Sequence, residues 1–135
     1  LVKVEKGADY GWPDYWRYPR DFKIIKNDPK IHNPLTGYPF SALGPTDAVF
    51  LDSSVYGKEF YGNLFFGTWN TAAVHRIVLS KDGDSVISEE VIFVAAKEKK
   101  EEYGTTGGIL GLAVDKEGIL YIATTTKILR VKEFK

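Results

Sequence analysis

"GLAVDKEGILYIATTTKILRVKE", residues 111–133, is the stretch whose reading decides the fold. Its apolar residues come in short runs of strand length, broken by turn chemistry at Lys116-Glu117-Gly118. None of them recurs at the spacing of an amphipathic helix. The same construction occurs earlier in the chain. There AVFLD (48–52) is followed by GNLFFGTWNTAAVHRIVLS (62–80). Each copy has an apolar strand ending in Asp, then a Gly-led apolar strand with aromatics. A polar turn follows, then a strand with Arg between apolar neighbours: His75-Arg76-Ile77 in one copy, Leu129-Arg130-Val131 in the other. The repeat is roughly 50–60 residues, near the period of a β-propeller blade. A blade is a four-stranded sheet radiating from a central channel.

Working outward, strands are predicted over 46–52, 62–70, 72–80, 86–95, 108–115, 119–125 and 127–134. In the third, Val74, Arg76 and Val78 alternate with Ala73, His75, Ile77 and Leu79, the two-residue period of a sheet. KDGDS (81–85) reads as a hairpin tip. The charged run KEKKEEYG (97–104) reads as a solvated connection. The expected organisation is all-β: a loop-rich rim segment over 1–44, a blade over 45–96, a charged and Gly-rich connection over 97–107, and a last, incomplete blade over 108–135. Five of the six prolines fall in the first segment (Pro13, Pro19, Pro29, Pro34, Pro39). Only LVKVEK, at the start of the chain, offers a spare strand for the incomplete blade. One repeat cannot bury its own apolar face, and rings have at least about four blades. The chain is therefore expected to be a fragment or a subunit of a larger ring. Its partners would be the remaining blades, from the same or another chain.

The totals limit the alternatives. Eighteen Lys and Arg balance eighteen Asp and Glu, which is not the basic footprint of a nucleic-acid binder. No apolar run approaches the roughly 18 residues of a membrane helix. Without cysteine there is no thiolate metal site, disulfide or Cys nucleophile. No GxSxG, P-loop, HExxH or dinucleotide fingerprint occurs.

The opening residues add a more specific signal. LVKVEKGADYGWP (1–13) resembles the E-I-N-x-I-x-x-G-x-N-Y-G-W-P segment of the soluble aldose sugar dehydrogenases and glucose/sorbosone dehydrogenases. Gly7, Tyr10, Gly11, Trp12 and Pro13 match, and Asp9 stands where that pattern has Asn. The order continues. GPTDAVFLDSSVYGKEFYGNLFFGTW (44–69) is similar to A-P-[ST]-G…G-[DN]-L-F-[VF]-G. HRIVLSKDGDSVISEEVIF (75–93) is similar to R-[IL]-x-L…V…E-E. GLAVDKEGILYIATTTKILRV (111–131) is similar to the last strands, although AVDKEGILYIA also occurs in propellers of NHL-repeat type.

This resemblance implies a six-bladed propeller that binds pyrroloquinoline quinone and calcium and oxidises aldoses, in an extracellular or periplasmic setting. It implies that Phe40, Pro45, Thr46, Trp69 and Asn70 face the cofactor pocket. It places no catalytic residue and no metal ligand in this chain, because the catalytic His belongs to an early blade. Three departures stand out. The two arginines of the pattern's R-x-R-D-V strand, which face the quinone carboxylates, fall on Gly108 and Leu110. The Lys common in the preceding central turn is missing from WNTAAV (69–74). A non-catalytic, NHL-type propeller segment acting as a binding or scaffold module is the alternative.

Other residue types are weaker candidates. His75, on an alternating strand with no carboxylate near in sequence, reads as structural or exposed rather than as an acid–base group. His32, in the Pro-rich loop, is open. Asp47, Asp52, Asp82, Asp84, Asp115 and Glu117 offer oxygens but no calcium-loop spacing. Trp12 reads as a packed rim residue. For Phe40 and Trp69, ring stacking on a ligand and packing on the blades are both open.

Overall fold

The computed structural model describes residues 1–10, 32, 34–37, 43–95 and 108–134. Seven strands form two antiparallel sheets. The first contains β1 (Pro45–Leu51), β2 (Asn63–Thr68), β3 (Ala73–Leu79) and β4 (Val86–Val94), paired in that order. The second contains β5 (Ile109–Val114), β6 (Leu120–Thr124) and β7 (Ile128–Arg130). The only helix among the described residues is one 3-10 turn, Lys58–Phe60. All seven predicted strands are present. The 81–85 hairpin is closed by Ser80, whose backbone N–H donates to Ser85 O at 2.9 Å and whose Oγ accepts from the N–H groups of Asp84 and Ser85.

Two sequence expectations need correction. β7 ends at Arg130 instead of running to Phe134. Past Val131 the chain leaves the sheet to bury Phe134, whose ring lies 4.7 Å from those of Tyr56 and Phe60 and 5.6 Å, stacked, from Phe65. Burying an aromatic ring outweighs a few more ladder bonds at a sheet edge. LVKVEK does not complete the second sheet. Leu1 is held by Leu35 and Thr36 backbone bonds, and the Lys3 ammonium pairs with Asp84 at the hairpin tip of the first sheet.

The sheets stack face to face. The shared core holds Leu51, Phe65 and Val74 from the first sheet against Ile109, Leu112, Leu120 and Ile122 from the second. β2 is buried along its whole length. Its alternation sends Phe65 into this core and Leu64 and Phe66 to the opposite face, where they meet Ile77. Gly67 is part of the same fit. A Cβ there would meet the Cβ of Ile109 at 3.1 Å, so only glycine lets β5 approach this closely.

Polar side chains fasten the stack. Thr46 Oγ1 donates to Ile109 O at 2.8 Å, and Leu112 N–H donates to Asp47 Oδ2 at 2.8 Å. At the other end the Tyr56 hydroxyl donates to Val131 O and accepts from Leu120 N–H, both at 3.0 Å. The buried polar groups of β2 are satisfied too. Asn63 Oδ1 accepts from Arg76 Nε, and Thr68 Oγ1 bonds to both the N–H and the C=O of Ala73.

Tyr56→Phe keeps the ring but strands a backbone donor and an acceptor in a half-buried seam. It should cost about 1–3 kcal/mol, read as a lower urea midpoint; an unchanged midpoint would show that the hydroxyl fastens nothing. A second expectation concerns pH. The Asp115 carboxylate accepts from the backbone N–H groups of Ile119 and Glu117, which holds its pKa below the ordinary 3.8. Its contribution is therefore complete above that value and is lost as pH falls through the lower folded one. Between about pH 6 and about pH 2.5, the wild type should lose more stability than Asp115→Asn does. Equal losses in the two proteins would count against it.

Candidate functional site

The strand directions bring one set of loops together. β1 and β5 run side by side in the same direction, Thr46 beside Ile109 and Asp47 beside Leu112. Pro45 pairs with Thr68 across β1 and β2, so the β2–β3 turn lies at the end where β1 begins. Trp69 N–H donates to Gly44 O at 2.8 Å, and Asn70 N–H to Leu43 O at 3.0 Å. Ala72 closes this turn with a positive φ of 50°, a conformation that costs a β-carbon residue about 1–2 kcal/mol. It is held because Ala72 is buried and its carbonyl accepts from Ala95 N–H at 2.8 Å.

Pro45, Thr46, Trp69 and Asn70 thus share one rim. Phe40 and Trp12 lie outside the described residues, as does most of the segment between them. The Thr46 hydroxyl is committed to Ile109. Trp69 is 37% exposed, and its other surface rests on Gly108, where an added Cβ would stand 2.6 Å from Trp69 Cδ2 and 3.0 Å from Trp69 Cα. None of residues 43–46, 68–72 and 108–111 is a cation. The Asp47 carboxylate, beside Thr46, accepts from Ala48 and Leu112 N–H.

A cavity of about 310 Å³ opens on the flank of the first sheet, between Leu1, Pro45, Ala48, Leu64, Phe66 and Ile77. It shares Pro45 and Thr46 with the rim but is otherwise apolar. The polar groups of Thr46 and Asp47 beside it are already bonded to β5. It is a packing face rather than a pocket with converging donors.

The other titratable candidates are placed elsewhere. His75 is buried on the flank, stacked on Phe66 at 4.6 Å. Its Nδ1 lies 2.9 Å from Glu89 Oε1. The carboxylate missing from the neighbouring sequence is supplied by β4, fourteen residues along the chain. With Nδ1 facing a carboxylate, Nδ1 carries the proton in the neutral ring and Nε2 is the acceptor; Nε2 is buried with no hydrogen-bond partner among the described residues. His32 is half exposed, near Glu5 Oε2 at 3.7 Å and the Tyr10 ring at 5.8 Å. Arg76 is held by Asn63, Glu90, the Glu59 carbonyl and the face of Phe60. Among the described residues no group of three or more His, Asp or Glu could hold a metal ion.

Sequence reading missed the seat of Trp69 on Gly108 and the Asp47 clasp. Both left a trace, since Gly108 stands where the resembling pattern has Arg and Asp47 where it has Gly.

Among curated proteins, none matches this sequence. Solved structures do. Two are glucose dehydrogenases: one is 25% identical with a TM-score of 0.66, covering 93% of this chain and 35% of that one, and the other is 24% identical with a TM-score of 0.57, covering 73% and 28%. A third, described as an oxidoreductase (glucose dehydrogenase) from Thermus thermophilus, is 23% identical with a TM-score of 0.61, covering 90% and 29%. The chain therefore spans about a third of the length of these structures. Its two stacked sheets are part of a β-propeller. The sequence model for Glucose / Sorbosone dehydrogenase matches residues 1–130, and the chain belongs to that family.

Proposed function

We propose that this chain forms one side of a sugar-recognising mouth in a propeller of the glucose/sorbosone dehydrogenase type, and that its part there is binding rather than chemistry. The observation that carries this reading is Trp69. It is an exposed ring at the rim, fixed by its own backbone bond to Gly44 and by its seat on Gly108, with the Asn70 amide next to it. A rigid aromatic face beside a few polar groups suits the apolar side of a pyranose.

Oxidising an aldose at C1 removes a hydride and a proton, which requires an acceptor and a base. The described residues at the rim offer neither. The resemblance implies pyrroloquinoline quinone with calcium as the acceptor. A tricarboxylate of that kind needs cations, ideally the paired donors of Arg. Gly108 and Leu110 stand where the two arginines are implied and the turn 69–74 has no Lys, so the described rim does not fit the group.

The same observation favours a second reading for the whole protein, a propeller that binds sugar without oxidising it. The remaining blades, from the same or another chain, would cover the apolar surface left open at Phe50 and Ile128, which are 57% and 78% exposed.

Calorimetric titration of the protein carrying this chain with D-glucose and other aldoses tests the proposal. Saturable binding should weaken about tenfold or more, some 1.4 kcal/mol, in Trp69→Ala. Absence of aldose binding, or an unaltered Trp69→Ala isotherm, would remove the mouth from this rim. A dye-reduction assay on the same samples separates binding from turnover.

A further inference from the structure

We infer that Trp69, seated on Gly108, sets the ligand class of this rim: it admits an uncharged hydroxylated ring and refuses a polycarboxylate quinone. The inference rests on the reading of this rim as the ligand mouth.

Space at residue 108 is closed. A Cβ there would clash with the indole, 2.6 Å from Trp69 Cδ2, whereas the Trp69 Cα at 3.0 Å would have to give by only a few tenths of an ångström. The ring is therefore the obstacle, and its turn is pinned by Trp69 N–H on Gly44 O and by Asn70 N–H on Leu43 O. No side chain, and so no guanidinium, emerges from residue 108 while the Trp69 ring stands there. Trp69 fills the place such a group would need.

Charge points the same way. Leu110, the next position that could face outward from β5, is half exposed and apolar. Asn70 offers a neutral amide. Among the described residues, the one fixed charge at the β1–β5 seam is the carboxylate of Asp47, held there by Ala48 and Leu112 N–H. A carboxylate taken from water without a cation keeps its desolvation cost uncompensated, several kcal/mol for each ion. Another carboxylate nearby adds to it. A neutral sugar faces neither cost, and its apolar side gains from an indole face.

The experiment is a fluorescence and calorimetric titration of the protein carrying this chain with pyrroloquinoline quinone, with and without calcium, alongside the aldose titration above. The wild type is expected to show no saturable quinone signal. The double variant Trp69→Ala with Gly108→Arg, checked for folding by circular dichroism, is expected to gain one. Saturable quinone binding by the wild type overturns the inference, and a folded double variant as silent as the wild type overturns its assignment to Trp69 and Gly108. If neither aldose nor quinone binds the wild type while the double variant takes quinone, the sugar reading fails and the exclusion stands.

Discussion

The structure depends on one strand being buried on both faces. β2 reads NLFFGT, a continuous apolar run where a half-solvated strand would alternate. Such a strand needs a partner layer on each side. On one side the second sheet supplies it, with Phe65 at the centre of the shared core. That packing has a geometric consequence two residues along. Gly67 has no side chain, so Ile109 settles directly against the β2 backbone. This close approach draws the start of β5 alongside β1, and Gly108 comes to lie under Trp69. The rim is thus set by a core contact, and a larger residue at 67 would push apart the elements that form it.

Apolar burial alone would not fix how the sheets align. Packed apolar faces tolerate sliding, since hydrophobic attraction has little direction. Alignment comes from the four hydrogen bonds of Thr46, Asp47 and Tyr56. Each adds only about 1 kcal/mol net. Their weight lies in the asymmetry: a slipped sheet would leave Ile109 O, Leu112 N–H, Leu120 N–H and Val131 O without partners in a seam that water reaches poorly, at about 1–3 kcal/mol apiece. Burial therefore holds the sheets together and the polar clasps choose the register. Thr46 shows the trade clearly. Its hydroxyl lies at the rim, where a ligand could use it, and is committed to alignment instead.

Much of this is legible in the sequence, for a physical reason. Strand existence and turn position are local: period-two alternation in AVHRIVL and Asp-Gly between apolar runs fix β3 and the hairpin after it. The repeat of 48–80 in 111–133 then points to blades, because a strand order repeated at that spacing has few other solutions. Contacts between strands are not legible. Glu89 reaches His75 through β3–β4 pairing, which shifts register twice along its length, and no count along the chain yields that diagonal. Periodicity makes β7 too long because its apolar residues continue to Phe134, and nothing in the period shows that this ring leaves the sheet to join Tyr56, Phe60 and Phe65. The site residues come from resemblance. Four of them share a rim because Pro45 pairs with Thr68, while Phe40 lies outside the described residues.

On the proposed reading, family membership and ligand chemistry separate at this rim. The features that match the family are those the fold needs: an apolar β2, glycine where sheets touch, Asp at strand ends, and an Arg on the third strand of a blade. Arg76 illustrates the last. It is held by Asn63, Glu90, the Glu59 carbonyl and the face of Phe60. The departures at Asn70, Gly108 and Leu110 lie at the beginnings of strands and in a turn, where a side chain can change without disturbing the core. They are also coupled, because a bulky ring at 69 is compatible only with glycine at 108. A single change from Arg to Gly would leave a hole, and a single gain of Trp would clash. On the proposed reading, Trp69 with Gly108 sets an aromatic surface where the resembling pattern has cations, while the sheets stay packed as they are.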